Sequence, residues 1–410
     1  MLHRFTLLTI LLLALSLVAC NGNDDDNDDS DDDNDDNDDD DDSSDDDDDD
    51  FNLPDGWRME LVDDNKAGQN NKIELLSNIQ PIISYHYYNY EKHSRVPQIA
   101  QFLNNMWIIT QISIDNAESS LCFLLDRFDN IHLGLENYGN PIKTLYTTNI
   151  TGSWNTKTVA EIVRYGSSRI DMALNSQNKP YFIYEDDYTN EDSLFLSKWN
   201  GDSWNNEYLV KGDDPRIAID SNDNFHIVYT LPDDNNYKDE LFYLTNATGE
   251  WVTTKIDDTD DCEGEPGYSA LSFSGHQIEI DDQDNIHLAY TVSFYKDVDS
   301  QSGWDGQTKY VEIGAGGKSA AIVENHTYLK GLALDGDSDP HLLLGKKEED
   351  RYLLHVYSKS GSTWESINLG IESGDSDLEV DQDGYIHISF ADLDDLDVPI
   401  ALYYLTNRPL

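Results

Sequence analysis

The sequence predicts an all-β fold, a seven-bladed β-propeller of four-stranded blades, on three observations. An Asp and a His recur six residues apart, as Asp126 and His132, Asp220 and His226, Asp281 and His287, Asp335 and His341, and Asp381 and His387. An apolar run leading to a Gly and a Trp follows most copies: Leu145 to Asn149 leads to Gly152 and Trp154, Leu194 to Gly201 and Trp204, Leu241 to Asn246 to Gly249 and Trp251, and Val356-Tyr357 to Gly361 and Trp364. The runs between these marks alternate apolar and polar residues or are brief β-branched and aromatic blocks, and none carries the 3.6-residue period of a helix. A unit of about 45 residues holding four short strands has the size of one propeller blade.

The clearest copy runs from Ile217 to Ile256. Its pieces are Ile217 to Asp220, the turn Ser221-Asn222-Asp223-Asn224, His226 to Tyr229, Leu241 to Asn246, and Trp251 to Ile256. Asp and Asn fall where tight turns need positive φ. Degenerate copies start at Asn175, six residues before Tyr181, and at Leu76, six before Ile82, so the copy starts are 76, 126, 175, 220, 281, 335 and 381. The last copy, Leu402 to Asn407, has no Gly-x-Trp behind it and lacks a fourth strand. Asp55-Gly56-Trp57 through Val62 has the missing form and precedes the first copy. It is expected to complete the last blade and close the ring, because an open sheet edge is a liability that closed folds remove.

Ahead of this region, residues 1–20 carry Arg4 and an unbroken apolar run, too short for a durable membrane span, and read as a secretion signal. The ending Leu17-Val18-Ala19-Cys20 resembles the bacterial lipobox, which implies acylation of Cys20 and a lipid anchor in the membrane. Asn21 in place of Asp implies the outer membrane, with the domain displayed at the cell surface. Residues 21–50 are almost wholly Asp, offer nothing apolar to bury, and read as a disordered tether. The domain boundaries are therefore 1–20, 21–50 and 51–410.

The chain holds 82 acidic and 26 basic residues; 21 of the acidic ones lie in residues 21–50 and Arg4 lies in the signal, which leaves 61 against 25, a net of −36, for residues 51–410. Such a surface excludes nucleic acid and anionic lipid as partners. Polyhydroxyl, cationic or metal-bridged partners suit it. Cys122 falls on an apolar strand and Cys262 in a long acidic segment, and a bridge between them is permitted without being required.

The repeats resemble the sialidase-like propellers with Asp-box repeats, through blades of the form Ile-x-Ile-Asp, Asn-x-His-Ile and Tyr. The Asp-box pattern, Ser/Thr-x-Asp-x-Gly-x-x-Trp, is only partly kept: Ser358 to Trp364 has Ser360 in place of the Asp, and Thr245 to Trp251 is one residue short. The resemblance implies the fold. Sialidases resemble one another in an arginine triad, a Tyr/Glu pair and an acid/base Asp, none of which is assigned to a residue here, so no catalytic residue is named.

The repeated Asp and His suggest metal ligands, but hairpins spread around a rim do not converge, and both are expected to be structural, the Asp capping its turn and the His bonding backbone carbonyls. Asp335, Asp337 and Asp339 have the one-three-five spacing of a calcium loop without its Gly and Glu, so calcium is a weak candidate and no cofactor is expected. Asn149, Asn246 and Asn325 head glycosylation-type triplets that read as turn chemistry.

The opposite rim varies between copies, with long members at Tyr85 to Gln98, Asp257 to His276 and Thr291 to Gln307. Arginine is scarce, yet Arg164, Arg169 and Arg216 fall in two neighbouring loops near the central channel, and Arg95 lies on another. Tyr188, Tyr268 and Trp304 join Arg164, Arg169 and Arg216 as candidate ligand contacts, since aromatic faces between charged groups suit sugar rings. The expected function is a monomeric, surface-displayed binding or adhesion module for a glycan or protein. The alternative is a glycoside hydrolase or polysaccharide lyase acting on an anionic glycan.

Overall fold

The computed structural model describes residues 52 to 409, except 90, 92, 115–116, 138, 140, 163–168, 187–192, 234–237, 260–267, 299–300, 350, 373 and 395–397. The signal, lipidation and tether expectations for residues 1–50, and Cys262, lie outside the described residues.

After β1 (Arg58–Asp63), blade 1 comprises β2 (Ala67–Leu75), β3 (Pro81–Asn89), β4 (Ser94–Leu103) and β5 (Met106–Gln111), and blade 2 comprises β6 (Ala117–Leu125), β7 (Ile131–Asn137), β8 (Ile142–Thr148) and β9 (Asn155–Ile162). Blade 3 is β10 (Ile170–Leu174), β11 (Pro180–Asp186), β12 (Ser193–Trp199) and β13 (Trp204–Lys211); blade 4 is β14 (Asp213–Ile219), β15 (Phe225–Asp233), β16 (Lys238–Thr245) and β17 (Val252–Asp258). Blade 5 is β18 (Tyr268–Ile280), β19 (Ile286–Val298), β20 (Gln301–Gly314) and β21 (Gly317–Asn325); blade 6 is β22 (Thr327–Leu334), β23 (Pro340–Glu348), β24 (Arg351–Ser360) and β25 (Thr363–Glu372). Blade 7 is β26 (Ser376–Val380), β27 (Ile386–Leu393) and β28 (Pro399–Thr406), completed by β1. Among the described residues the chain is thus an all-β propeller of seven four-stranded antiparallel blades, as the repeats predict.

Closure follows the expected route. Arg58 pairs with Thr406, Glu60 with Tyr404 and Asp63 with Leu402, with a bulge between Leu61 and Asp63. Trp57, Met59 and Leu53 pack against the cluster of Leu369, Ile371, Ile388 and Leu405 between blades 6 and 7. The same arrangement recurs around the ring. Apolar clusters fill each junction, for instance Leu241 and Tyr243 of blade 4 against Ile278, Leu288 and Tyr290 of blade 5. The core among the described residues therefore lies mainly between blades, apart from the small cluster of Ala117, Leu135 and Leu145 inside blade 2. A blade's outer-strand Trp leans on the preceding blade: Trp204 meets Tyr146 edge-on at 5.7 Å between ring centroids, and Trp364 meets Tyr310 at 5.4 Å.

The Asp/His motif is structural, as expected, with a different partner for the His. Asp220 Oδ1 accepts the N–H of Asn222 at 2.9 Å and of Asn224 at 2.7 Å, closing the turn between β14 and β15. His226 does not reach a carbonyl. Its Nε2 lies 3.3 Å from Asp220 Oδ2 and its Nδ1 lies 2.5 Å from the Tyr243 hydroxyl. The carboxylate fixes the proton on Nε2, so Nδ1 accepts from the tyrosine. The relay repeats at His287 with Tyr310 and His387 with Tyr404, His341 uses Ser358, and His132 bonds Tyr146 with its Nε2 3.6 Å from Asp126, outside hydrogen-bond reach. Burial holds His132, His226 and His387 below the ordinary imidazole range against the pull of their Asp partners.

These turns also staple blades to each other. Asp129, Asp223 and Asp284 adopt φ of 61°, 62° and 60°, a left-handed conformation Asp tolerates. Each carboxylate accepts the backbone N–H and the hydroxyl of a serine in the preceding blade's turn, Ser77, Ser176 and Ser221 in order.

Two of the three long segments on the variable rim are hairpins rather than loops. β3 and β4 continue to the pair Asn89 and Ser94, and β19 and β20 to Val298 and Gln301. In blade 5 the strand pattern runs past the point where the other blades turn: β19 has 13 residues, against 9 in β3, β15 and β23. Arg95 therefore sits in a strand, with its Nε donating to Gln69 Oε1 at 2.8 Å.

Closure can be tested by deleting residues 51–63. The variant loses the outer strand of blade 7 and the contacts of Trp57, and is expected to melt well below the intact chain or to aggregate through the exposed β28 edge. Trp57→Ala, which removes only a half-buried side chain, should cost no more than about 3 kcal/mol. Calorimetry showing an unchanged melting temperature for the deletion would refute the closing role.

Candidate functional site in the central channel

The first strand of each blade stands nearest the axis, so β2, β6, β10, β14, β18, β22 and β26 converge on one channel. Strand alternation then sends every second residue inward. Counting back from the turn, the residues four before it are Lys72, Cys122, Asp171, Arg216, Gln277, Gly331 and Asp377, and those two before it include Glu74, Glu279 and Glu379. A cavity of about 460 Å³ extends from the ends where these strands begin, at Asn70, Arg169 and Asp375, to the three glutamates. Its size is that of a small-ligand site.

At the upper end two of the expected arginines meet over a single carboxylate. Asp214 Oδ1 accepts from Arg216 Nη1 at 2.9 Å and Oδ2 lies 3.1 Å from Arg169 Nη1; Arg216 Nη1 also donates to the Pro215 carbonyl at 2.8 Å. Asp214 holds φ at 48° before Pro215, which presents its side chain to both. Burial alone would raise the Asp214 pKa, but the guanidiniums of Arg216 and Arg169 outweigh it and hold it at about 2. His276 is fully buried; its Nε2 bonds the Asp214 carbonyl and its Nδ1 lies 3.8 Å from Oδ2, beyond hydrogen-bond reach. Burial keeps the imidazole neutral in spite of Asp214.

Across the channel, Lys72 Nζ lies 3.1 Å from Asp377 Oδ1, and the Ile73 N–H donates to the other oxygen at 3.1 Å. Asp171 accepts the Ile217 N–H at 2.8 Å, and burial raises its pKa against the pull of Arg216. Lys330 Nζ donates to the Gly374 carbonyl at 3.1 Å, and burial pushes its ammonium below the ordinary lysine range. Gln277 locks the position of β22, donating to the Lys330 carbonyl at 2.9 Å and accepting from the Leu332 N–H at 2.7 Å.

At the lower end Glu279 is pushed up to about 8 by burial and by the charges of Asp171 and Asp377. Its side chain keeps surface open to the channel, so water moderates the burial effect. Burial raises Glu74 and Glu379 as well, with repulsion from Glu279 and Asp377 added at both and from Glu74 at Glu379. The cavity thus holds carboxyl groups pushed in opposite directions, Asp214 down by its two guanidiniums and Glu279 up by burial and neighbouring carboxylates.

Of the candidate contacts, Arg169 and Arg216 line the cavity together. Arg164, Tyr188 and the Tyr268 side chain lie outside the described residues. Trp304 is on the raised β19–β20 hairpin, packed on Tyr295 at 5.1 Å and 53% exposed, and does not line the cavity. Asp335, the first of the calcium candidates, is committed to the N–H groups of Asp337 and Asp339 and to His341. Cys122 is a free, buried thiol that donates to the Ile170 carbonyl. Lys72, Asp171, Asp214, His276, Lys330, Asp377 and the glutamates were not among the sequence candidates; counting two and four residues back from each turn finds most of them.

Fold and site together define a seven-bladed propeller with a polar, charge-lined channel cavity. No family model matches the sequence, and no curated protein matches it. Solved structures are similar in fold. A PL25 ulvan lyase bound to -[GlcA(1-4)Rha3S]- aligns with a TM-score of 0.56 at 12% identity, covering 86% of this chain and 98% of its own. Polysaccharide lyase Uly1 aligns with a TM-score of 0.53 at 9% identity, covering 82% and 89%. An α-L-arabinofuranosidase of Fusarium graminearum with arabinobiose aligns more weakly, with a TM-score of 0.45 at 9% identity over 71% and 94%. At these identities the likeness establishes the propeller fold alone.

Glu279 gives the cavity a pH signature. Its folded-state pKa is raised from 4.5 to about 8, so the folded chain binds the proton more tightly than the unfolded chain. The stability this adds is complete below about 4.5 and is lost as pH rises through about 8. Glu279→Gln should therefore flatten the decline in melting temperature between about pH 5 and pH 9. Parallel declines in the two proteins would show that Glu279 titrates normally.

Proposed function

We propose that the protein binds an acidic polysaccharide at the channel cavity and cleaves it by β-elimination. One observation carries this reading: in a folded region with only 25 basic residues against 61 acidic ones, Lys72, Arg169, Arg216 and Lys330 all line one cavity. Elimination at a uronate needs a cation against the carboxylate, a base for the proton on the adjacent carbon, and an acid for the departing oxygen. Arg169, half-exposed at the upper end, engages the carboxylate. Lys330, with its lowered pKa, takes the carbon-bound proton; the carbon–oxygen bond breaks, and the ammonium so formed hands the proton to the leaving oxygen. That two of the solved propellers of like fold are polysaccharide lyases supports this choice over a plain adhesion module.

The test is incubation of the full chain with glucuronate-containing polysaccharides while following the ultraviolet absorbance of an unsaturated uronate. Absorbance is expected to rise, and Arg169→Ala and Lys330→Ala should each lower the rate by about a hundredfold. New reducing ends without absorbance would mean hydrolysis instead, and binding with neither signal would leave the adhesion reading, for which the exposed Trp304 would be the natural contact.

The protein is further read as a bacterial outer-membrane lipoprotein, on the strength of Leu17 to Cys20 and Asn21, with residues 21–50 spacing the propeller from the membrane. Mass spectrometry of the mature N-terminus is expected to find an acylated Cys20, and Cys20→Ser should release the protein from membranes. An intact Met1 would refute the anchor.

A further inference from the structure

A second cavity of about 400 Å³ adjoins the first at the junction of blades 7 and 1, and the two share Asn70, Lys330 and Asp375. Its other walls include Gln69, Arg95, Leu393 and Pro399. The partition between the cavities is built rigidly. The Asn70 N–H donates to Asp375 Oδ2 at 2.8 Å, and Asn71 Nδ2 donates to the Gly68 carbonyl at 2.8 Å and the Asp375 carbonyl at 2.7 Å. Asn70 holds φ at 50° and Gly68 at 110°. A Cβ on Gly68 would lie 2.8 Å from the Ala391 Cβ, so only glycine allows β2 to approach blade 7 this closely. Lys330 stands on the partition, tied to the Gly374 carbonyl, and Arg95 is oriented by Gln69.

We propose that this cavity is a second sugar subsite, so that one acidic polysaccharide chain runs from the Arg169–Arg216 end of the channel, over Lys330, to Arg95. The proposal rests on the central cavity being glycan-directed and adds the direction and length of what it binds. Leu393 and Pro399 offer an apolar wall for a sugar ring face, Gln69, Asn70 and Asp375 offer groups for hydroxyls, and Arg95 offers a charge for a carboxylate or sulfate. Asp375 lends its carboxylate to the Asn70 N–H, which offsets its repulsion of a polyanion. Because the walls are held by backbone and side-chain hydrogen bonds in the free protein, little ordering is needed on binding.

Calorimetric titration of the full chain with glucuronate-containing oligosaccharides from disaccharide to hexasaccharide tests this. Affinity is expected to rise with length, and Arg95→Ala should weaken the hexasaccharide about tenfold, roughly the loss of one charge-assisted contact, while leaving the disaccharide unchanged. Leu393→Glu, which places a like charge on the opposite wall without touching the Arg95–Gln69 pair, should do the same at an unaltered melting temperature. Equal affinities for short and long oligosaccharides, with cleavage retained, would overturn the second subsite and leave the central reading intact. Failure of every oligosaccharide to bind would overturn both.

Discussion

Packing of each blade against two neighbours is the constraint on which this structure depends. Among the described residues the large buried clusters lie at the junctions, with residues such as Leu241 and Tyr290 meeting across them, and only the small group Ala117, Leu135 and Leu145 sits within one blade. A four-stranded sheet with one bare face would leave a large apolar surface in water, which at about 25 cal/mol per Å² is prohibitive for a marginally stable domain. The ring must therefore close, and the chain closes it by setting β1 beside β28. The Ser–Asp bonds between successive turns and the Trp residues leaning on preceding blades add directional contacts to a junction that hydrophobic burial alone would leave free to slide.

Closure also makes the site. Seven inner strands brought to one axis leave a channel too narrow to solvate charged groups fully, and whatever side chains point inward must satisfy one another. Lys72 with Asp377, and Arg169 and Arg216 with Asp214, are the pairs that result. The glutamates two residues before the turns in blades 1, 5 and 7 feel Lys72 only as a minor pull, so burial and neighbouring carboxylates raise their pKa values instead. The opposed pKa shifts of carboxyl groups in this cavity are thus a consequence of ring geometry acting on a few inward positions.

Much of the fold is legible in the sequence because its signals are local. Asp220, Asn222 and Asn224 form a turn through contacts among five residues, and the His226–Tyr243 bond joins adjacent strands of one blade. The missing fourth strand after Asn407 and the Gly56-Trp57 segment at the other end also declare each other, since both follow the same strand pattern. The site is less legible. Arg169 and Arg216 stand out by rarity, but Asp214, which holds them together, resembles any other Asp in an acidic chain, and its role depends on a positive φ before Pro215. Glu279 and Lys330 lie in strands whose periodicity shows which face they occupy but not that the face is a channel shared with five or six other charged side chains. The hairpins of blades 1 and 5 were hidden for a different reason: Tyr87, Tyr88, Tyr295 and Trp304 suit a binding loop and an extended strand equally well.

The overall charge bears on how an acidic glycan could reach this cavity. A folded region carrying −36 repels a polyanion at long range, which argues against electrostatic capture from solution. At physiological ionic strength, however, that field decays over about 8 Å, and a chain end entering the channel encounters Lys72, Arg169, Arg216 and Lys330 within a confined, poorly solvated volume where each attraction is stronger than in bulk water. Paired cations are not spent by their pairing: Asp214 neutralises part of two guanidiniums, each of which has several N–H groups and uses few of them on it. The acidic exterior then acts as a selector against chains that bind by charge alone, and admits those that also match the hydroxyl and apolar contacts of the channel walls.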